Sequence, residues 1–169
     1  MLRILNKIQR IGIISEPVPE TAEPALAEIG AQLKENIGRL FAGSLAIRQV
    51  DAGSCNGCEL EIHALNNPYY GIERYGVHFV ASPRHADMLL VTGPVSRHME
   101  AALRRTYDAT PEPKLVIAVG ECGANGGVFG MSYASCGAVA NVIPVDAVIR
   151  GCPPTPMDLM RGILAAINK

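Results

Sequence analysis

The sequence predicts an α/β fold: a doubly wound, mostly parallel sheet with an amphipathic helical arm at its N-terminal side. Three observations predict it. Continuous apolar runs of strand length alternate with helical patterns, and runs of that kind belong to strands covered on both faces. Half of the chain is apolar, with no Trp and few aromatics, a composition that suits a sheet filled with Val, Ile, Leu and Ala. Finally, three strand-like runs each lead into a glycine-flanked cysteine segment. Ligands of open α/β sheets sit beyond the carboxyl ends of the strands.

In chain order, Leu2 to Ile14 is a short basic, apolar segment, and Glu16 to Thr21 is a Pro/Glu-rich connector. From about Pro24 to Phe41, Leu26, Ile29, Leu33, Ile37 and Leu40 recur at helical spacing opposite Lys34, Glu35, Asn36 and Arg39. This helix either packs on its own domain or lies against a partner or a membrane surface. Leu45 to Val50 is a strand, Glu59 to Leu65 a helix stopped by Asn66-Asn67-Pro68, and Val77 to Val80 a second strand. Asp87 to Thr92 is a third strand, broken by Gly93-Pro94. Ser96 caps a helix with Met99, Leu103 and Tyr107 on one face. Lys114 to Val119 is a fourth, buried strand, and Asn141 to Val148 contains a shorter fifth. The last helix opens at Thr155-Pro156-Met157-Asp158 with a hydroxyl cap, a first-turn proline and an acid three residues on. Its buried stripe is Met160, Ile163, Leu164 and Ile167. The organisation expected is a connector and amphipathic helix over 1–44 and a single α/β domain over 45–169.

Composition narrows the function. A net charge of −1 gives no electrostatic case for nucleic acid. No apolar run reaches the roughly 18–20 residues of a membrane span, and the start lacks a signal-peptide pattern. A soluble or peripheral protein of the cytoplasm is expected. Five cysteines, an odd count, do not suggest a disulfide framework in a reducing compartment.

The cysteines carry the chemistry. Cys55 and Cys58 form a Cys-x-x-Cys pair in Gly53-Ser54-Cys55-Asn56-Gly57-Cys58, and 63 and 29 residues intervene before Cys122 and then Cys152. Such a pair is a redox dithiol, half a zinc site or half an iron–sulfur site. A dithiol leaves Cys122 and Cys152 unexplained. Structural zinc usually takes two close pairs, and only one is close here. Glycines at 53, 57, 120, 123 and 151 let backbone approach inorganic sulfur and donate N–H bonds to it. An iron–sulfur site is therefore favoured over zinc and over unligated thiols.

Five motifs stand in a fixed order: Cys55-Asn56-Gly57-Cys58-Glu59-Leu60-Glu61, Ser82-Pro83-Arg84-His85-Ala86-Asp87, Gly120-Glu121-Cys122, Ile143-Pro144-Val145-Asp146 and Gly151-Cys152-Pro153-Pro154-Thr155-Pro156. Together they resemble the family that contains the small subunits of nickel–iron hydrogenases and the cluster N2 (20 kDa) subunit of respiratory complex I, from about Leu45 onward. The resemblance implies a flavodoxin-like fold and one [4Fe–4S] cluster held by Cys55, Cys58, Cys122 and Cys152. The complex I subunit has two adjacent cysteines where this chain has a spaced pair, which is similar to hydrogenases. The sequence ends 17 residues after Cys152, leaving no further cluster domain of the uptake-hydrogenase kind. That combination resembles the membrane-bound, energy-converting hydrogenases, formate hydrogenlyase included.

What the resemblance implies is an electron-transfer subunit on the cytoplasmic side of the membrane. It would relay electrons between a ferredoxin-like iron–sulfur subunit and the nickel–iron centre of a large subunit, inactive alone. The amphipathic segment from Leu26 to Leu40 would reach a membrane-embedded subunit. A complex I-like NADH:quinone oxidoreductase subunit reducing quinone is the alternative, and a zinc-stabilised interaction module a third. Glu61 takes the place of the family's acid near the cluster, as a proton relay or as a satisfied helix-start acid. Arg84 and His85 would face the cluster or the partner. Cys136 matches no ligand position and is expected to be a small buried residue, and Asp146 a structural acid.

Overall fold

A computed structural model describes residues 2–12 and 24–168; the Pro/Glu-rich connector expected at Glu16 to Thr21 lies outside the described residues. The sheet is built from β1 (Leu45–Asp51), β2 (Val77–Phe79), β3 (Met88–Thr92), β5 (Leu115–Val119) and β7 (Ala147–Ile149), in the order β2-β1-β3-β5-β7. All four pairings are parallel. This is the flavodoxin-like winding, in which the chain steps to either side of its first strand. β3, at the centre, has every residue buried. Its side chains alternate between two cores, as strand geometry demands: Met88 and Leu90 in one, Leu89 and Val91 in the other.

Helices fill both faces. On one side lie α2 (Pro24–Leu40), α3 (Gly57–Ala64) and α6 (Pro156–Ile167), which bring Leu33, Ile37, Ile62, Met160 and Ile163 against Ile47, Leu90 and Ile117. On the other, α4 (Arg97–Ala109) contributes Leu103 against Leu89, Val91 and Val116. The first strands of the ladder are extended by two carboxylates. Asp87 Oδ2 accepts from the Ala46 N–H at 2.8 Å, and Asp146 Oδ2 accepts from the Val116 N–H at 2.7 Å. Asp146 is thus a structural acid, as its sequence context suggests.

The caps fall where the sequence puts them. Ser96 Oγ accepts from the Met99 N–H at the start of α4. At α6, Thr155 and Asp158 form a capping box, and the Thr155 hydroxyl and N–H hold the Asp158 carboxyl below its ordinary range. A cap of this kind contributes about 1 kcal/mol.

The two alternatives for the helix at 24–40 separate here. Leu26, Gly30, Leu33 and Ile37 are buried, and α2 packs chiefly on α6. Burying Leu33 and Ile37 alone stabilises the domain by about 3–6 kcal/mol. The apolar stripe is used inside the domain and is not free to reach a membrane subunit, which corrects the expectation placed on Leu26 to Leu40. The exposed amphipathic element is instead α1 (Leu2–Ile11), none of whose residues is buried. The last strand also differs: Val142 and Ile143 enter the second core after a 3₁₀ turn at Val139–Asn141, and β7 begins only at Ala147. A two-stranded antiparallel ribbon, β4 (Val95–Ser96) with β6 (Ser135–Gly137), is new relative to the sequence pattern.

Candidate metal centre

Because all sheet strands run parallel, β1, β5 and β7 end on one edge, and each delivers a cysteine loop there. After β1, Asp51 Oδ1 accepts from the Gly53 and Ser54 N–H groups at 2.8 and 2.9 Å, and Ser54 Oγ accepts from the Asn56 N–H. Asn56 then takes a left-handed φ of 70°, which Asn tolerates better than most residues. The bend starts α3, leaving Cys55 exposed and Cys58 buried. After β5 comes a short helix, α5 (Gly120–Asn125), with Cys122 on its first turn. After β7, Cys152 stands exposed at the head of the loop into α6.

Two contacts tie the second loop to the third. The Glu121 N–H donates to the Gly151 carbonyl at 2.9 Å, and Arg150 pairs with Glu121 at 3.1 Å. The ion pair is largely exposed and is worth at most about 1 kcal/mol, so the backbone bond is the firmer tie. The first loop joins them through Gly57, where an added Cβ would lie 3.6 Å from Cys55 Sγ and 3.8 Å from Pro153 Cβ.

Two of the thiols, Cys58 and Cys122, feel the other cysteines. Burial, then the Glu59 carboxylate, then Cys55, Cys122 and Cys152 push the Cys58 thiol up to about 12. Cys122 is raised too, by burial and by Cys152 and Cys55. Glycine makes room for the sulfurs. A Cβ on Gly120 would sit 2.6 Å from Cys58 Sγ, and one on Gly127 would sit 2.7 Å from Cys122 Sγ. A cleft of about 340 Å³ opens beside them, lined by Glu121, Cys122, Asn125, Gly127, Val128 and Cys152. Among the described residues, no three His, Cys, Asp or Glu side chains are gathered closely enough for a single metal ion.

Cys136 stands apart. It lies in the second core, its Sγ–H donates to Glu100 Oε2 at 3.3 Å, and burial raises its pKa while the same bond lowers that of Glu100. Arg84 and His85 are exposed on a 3₁₀ turn, and neither is among the groups that perturb Cys58 or Cys122. Glu61 is half-buried on α3.

Sequence patterning missed Glu59. It is 5% exposed, and neither carboxylate oxygen has a hydrogen-bond partner among the described residues. The signal was there: Glu59 lies three residues before the buried Ile62, on the same side of a helix. An unpartnered buried carboxylate costs stability. Glu59→Met is therefore expected to stabilise the metal-free chain by at least about 1 kcal/mol, read as a higher urea midpoint under reducing conditions; an unchanged or lower midpoint would mean the carboxylate is partnered in solution.

These features fit a multi-atom group held by thiolates: Cys58 and Cys122 each raised by the neighbouring cysteines, glycines where a side chain would collide with sulfur, and an orphaned carboxylate beside them. Comparison with known proteins agrees with the sequence motifs. Residues 55–166 match the family model described as the NADH ubiquinone oxidoreductase 20 kDa subunit. The chain belongs to this family. It is 42% identical to formate hydrogenlyase subunit 7 of Escherichia coli over 152 residues, 90% of this chain and 58% of that protein. It therefore spans little more than half the length of that relative. It is 45% identical to the “Probable membrane-bound hydrogenase subunit mbhJ” of Pyrococcus furiosus, covering 82% of this chain and 81% of that one. Among solved structures it is similar to a chain of the membrane-bound sulfane sulfur reductase, an archaeal respiratory membrane complex. The TM-score is 0.65 at 33% identity, over 85% of this chain and 74% of that one. These relatives are subunits of oxidoreductase complexes, and two of them carry the name of a membrane-bound complex. Among the described residues no helix is long and apolar enough to cross a membrane.

Proposed function

We propose that this chain is a one-electron relay subunit in which Cys55, Cys58, Cys122 and Cys152 hold a single [4Fe–4S] cluster. The observation that carries this is the meeting of four thiols from three parallel strand ends, close enough for three of them to raise the fourth. When bound, such a cluster supplies a reversible one-electron change. The chain's own residues fix the thiolates in place. The Glu121–Gly151 backbone bond sets the separation of two loops, and Gly120 and Gly127 keep side-chain bulk away from Sγ. Glu59 offers a buried acceptor beside Cys58, and Glu61 is the residue proposed to relay protons.

The electron partner we propose is a large subunit carrying a nickel–iron centre, with a ferredoxin-like iron–sulfur subunit completing the path on the cytoplasmic side of the membrane. Support comes from the spaced Cys55-x-x-Cys58 pair, from the hydrogenase names of two relatives, and from the surface. Val128, Phe129, Met131 and Tyr133 follow the Cys122 helix with their side chains exposed, Tyr133 by 98% and Val128 by 94%. A contiguous apolar loop of that kind marks a protein interface, and a low-potential site needs cover from water and oxygen. The description of the family model supports a second reading, transfer to quinone.

The test is anaerobic purification of the chain, alone and with the products of neighbouring genes. About four iron and four sulfide per chain, with broad visible absorption bleached by reductant, are expected. Stoichiometric zinc without sulfide, or an oxygen-tolerant monomer that captures nothing, would overturn the relay.

A further inference from the structure

We propose that α1 is an interfacial helix that binds the anionic headgroup surface of a lipid bilayer. Its ten residues, Leu2–Ile11, contain no acid. Arg3, Lys7 and Arg10 recur at i, i+4 and i+7 and so form one row along the helix. Ile4, Ile8 and Ile11 repeat the same spacing one position later, with Leu5 beside them. One position is about 100° around a helix, so the cation row borders the isoleucine row, and Leu5 and Leu2 carry the apolar face round to the far side. The cations' aliphatic stems can lie along that face while the charges reach outward to phosphates.

Nothing in the described protein uses either row. Leu2, Ile4, Leu5, Ile8 and Ile11 are all exposed, and no ion pair among the described residues involves Arg3, Lys7 or Arg10. The charge is local. Setting those three cations aside leaves 12 basic and 16 acidic residues, a balance of −4. The remainder of the chain would be repelled by an anionic surface, so attraction must come from this helix. At about 15 Å it is half the roughly 30 Å needed to cross a hydrocarbon core. It lies on a bilayer rather than through one. A carboxylate-lined protein groove would demand fixed partners for each cation; a headgroup layer supplies phosphate at any register.

The full-length chain should co-sediment with equimolar phosphatidylglycerol/phosphatidylcholine vesicles, weakly at high salt, and not with phosphatidylcholine alone. R3E/K7E/R10E should lose about fivefold in affinity per cation, about a hundredfold in all. I4S/I8S should lose binding by removing inserted surface. No residue of α1 is buried, so both variants retain the fold, which circular dichroism checks. Equal binding to neutral vesicles, no vesicle binding, or variants that bind like the parent would overturn the proposal. If the variants lose a co-purifying membrane subunit while the parent binds no vesicles, the helix belongs to a protein groove instead. Vesicle binding is read on the chain with or without iron, so it stands or falls separately from the relay.

Discussion

Cys152→Ser is expected to abolish bound iron and sulfide, whereas Cys136→Ser leaves both at the parental level. The difference follows from position. Cys152 is exposed at the carboxyl edge of the sheet and perturbs both Cys58 and Cys122. Cys136 lies in the other core and spends its S–H on Glu100. Residues that only support metal ligands already cost about 10–100-fold in affinity when replaced, so loss of a ligand itself exceeds that. Cys55→Ser, Cys58→Ser and Cys122→Ser should behave like Cys152→Ser. Equal loss in Cys136→Ser would reassign the site. The same geometry sets a pH dependence. With Cys58 pushed up to about 12, that thiol is protonated in the metal-free chain at neutral pH, and binding must release its proton. Iron uptake should therefore weaken as pH falls and strengthen as it rises, and Cys58 should be the slowest of the four to react with an alkylating agent.

The centre of this fold was legible because its middle strands, β3 and β5, are buried on both faces. β3 and β5 are apolar runs that no helix pattern competes with, and the caps at Ser96 and Thr155 carry their own local chemistry. The edge was harder. β7 has three residues and lies after Val142 and Ile143, whose apolar side chains serve the second core without forming a strand. β4 and β6 are too short for alternation to register. Helical spacing found the stripe of α2 but could not say what covers it; only the meeting with α6 decides that. At the site, glycine-flanked cysteines after strand runs pointed to one edge. Glu59 escaped because a carboxylate at a helix start usually reads as solvated, and only its three-residue spacing to Ile62 sets it inside.

Gly120→Ala is expected to damage the centre nearly as much as loss of a cysteine, although alanine is neither charged nor large. Gly120 has φ 78°, a conformation that costs a residue with Cβ about 1–2 kcal/mol. That alone is a modest fraction of the 5–15 kcal/mol that keeps a domain folded. The larger effect is steric. The new methyl would lie 2.6 Å from Cys58 Sγ and 3.4 Å from the Gly151 carbonyl oxygen. Cys58 cannot retreat, because it is itself packed into the first core. The backbone of α5 must move instead. Since Gly120 is followed directly by Glu121, whose N–H holds the Cys152 loop through Gly151, the displacement is passed to Cys122 and Cys152 together. Iron content should fall at least about tenfold, with the unfolding free energy from urea titration lowered by only about those 1–2 kcal/mol. Gly38→Ala serves as the control, since a methyl there meets nothing within 4 Å. If Gly120→Ala loses stability but keeps its iron, the glycine serves the turn alone. Crowding of Cys58 then does not limit the site.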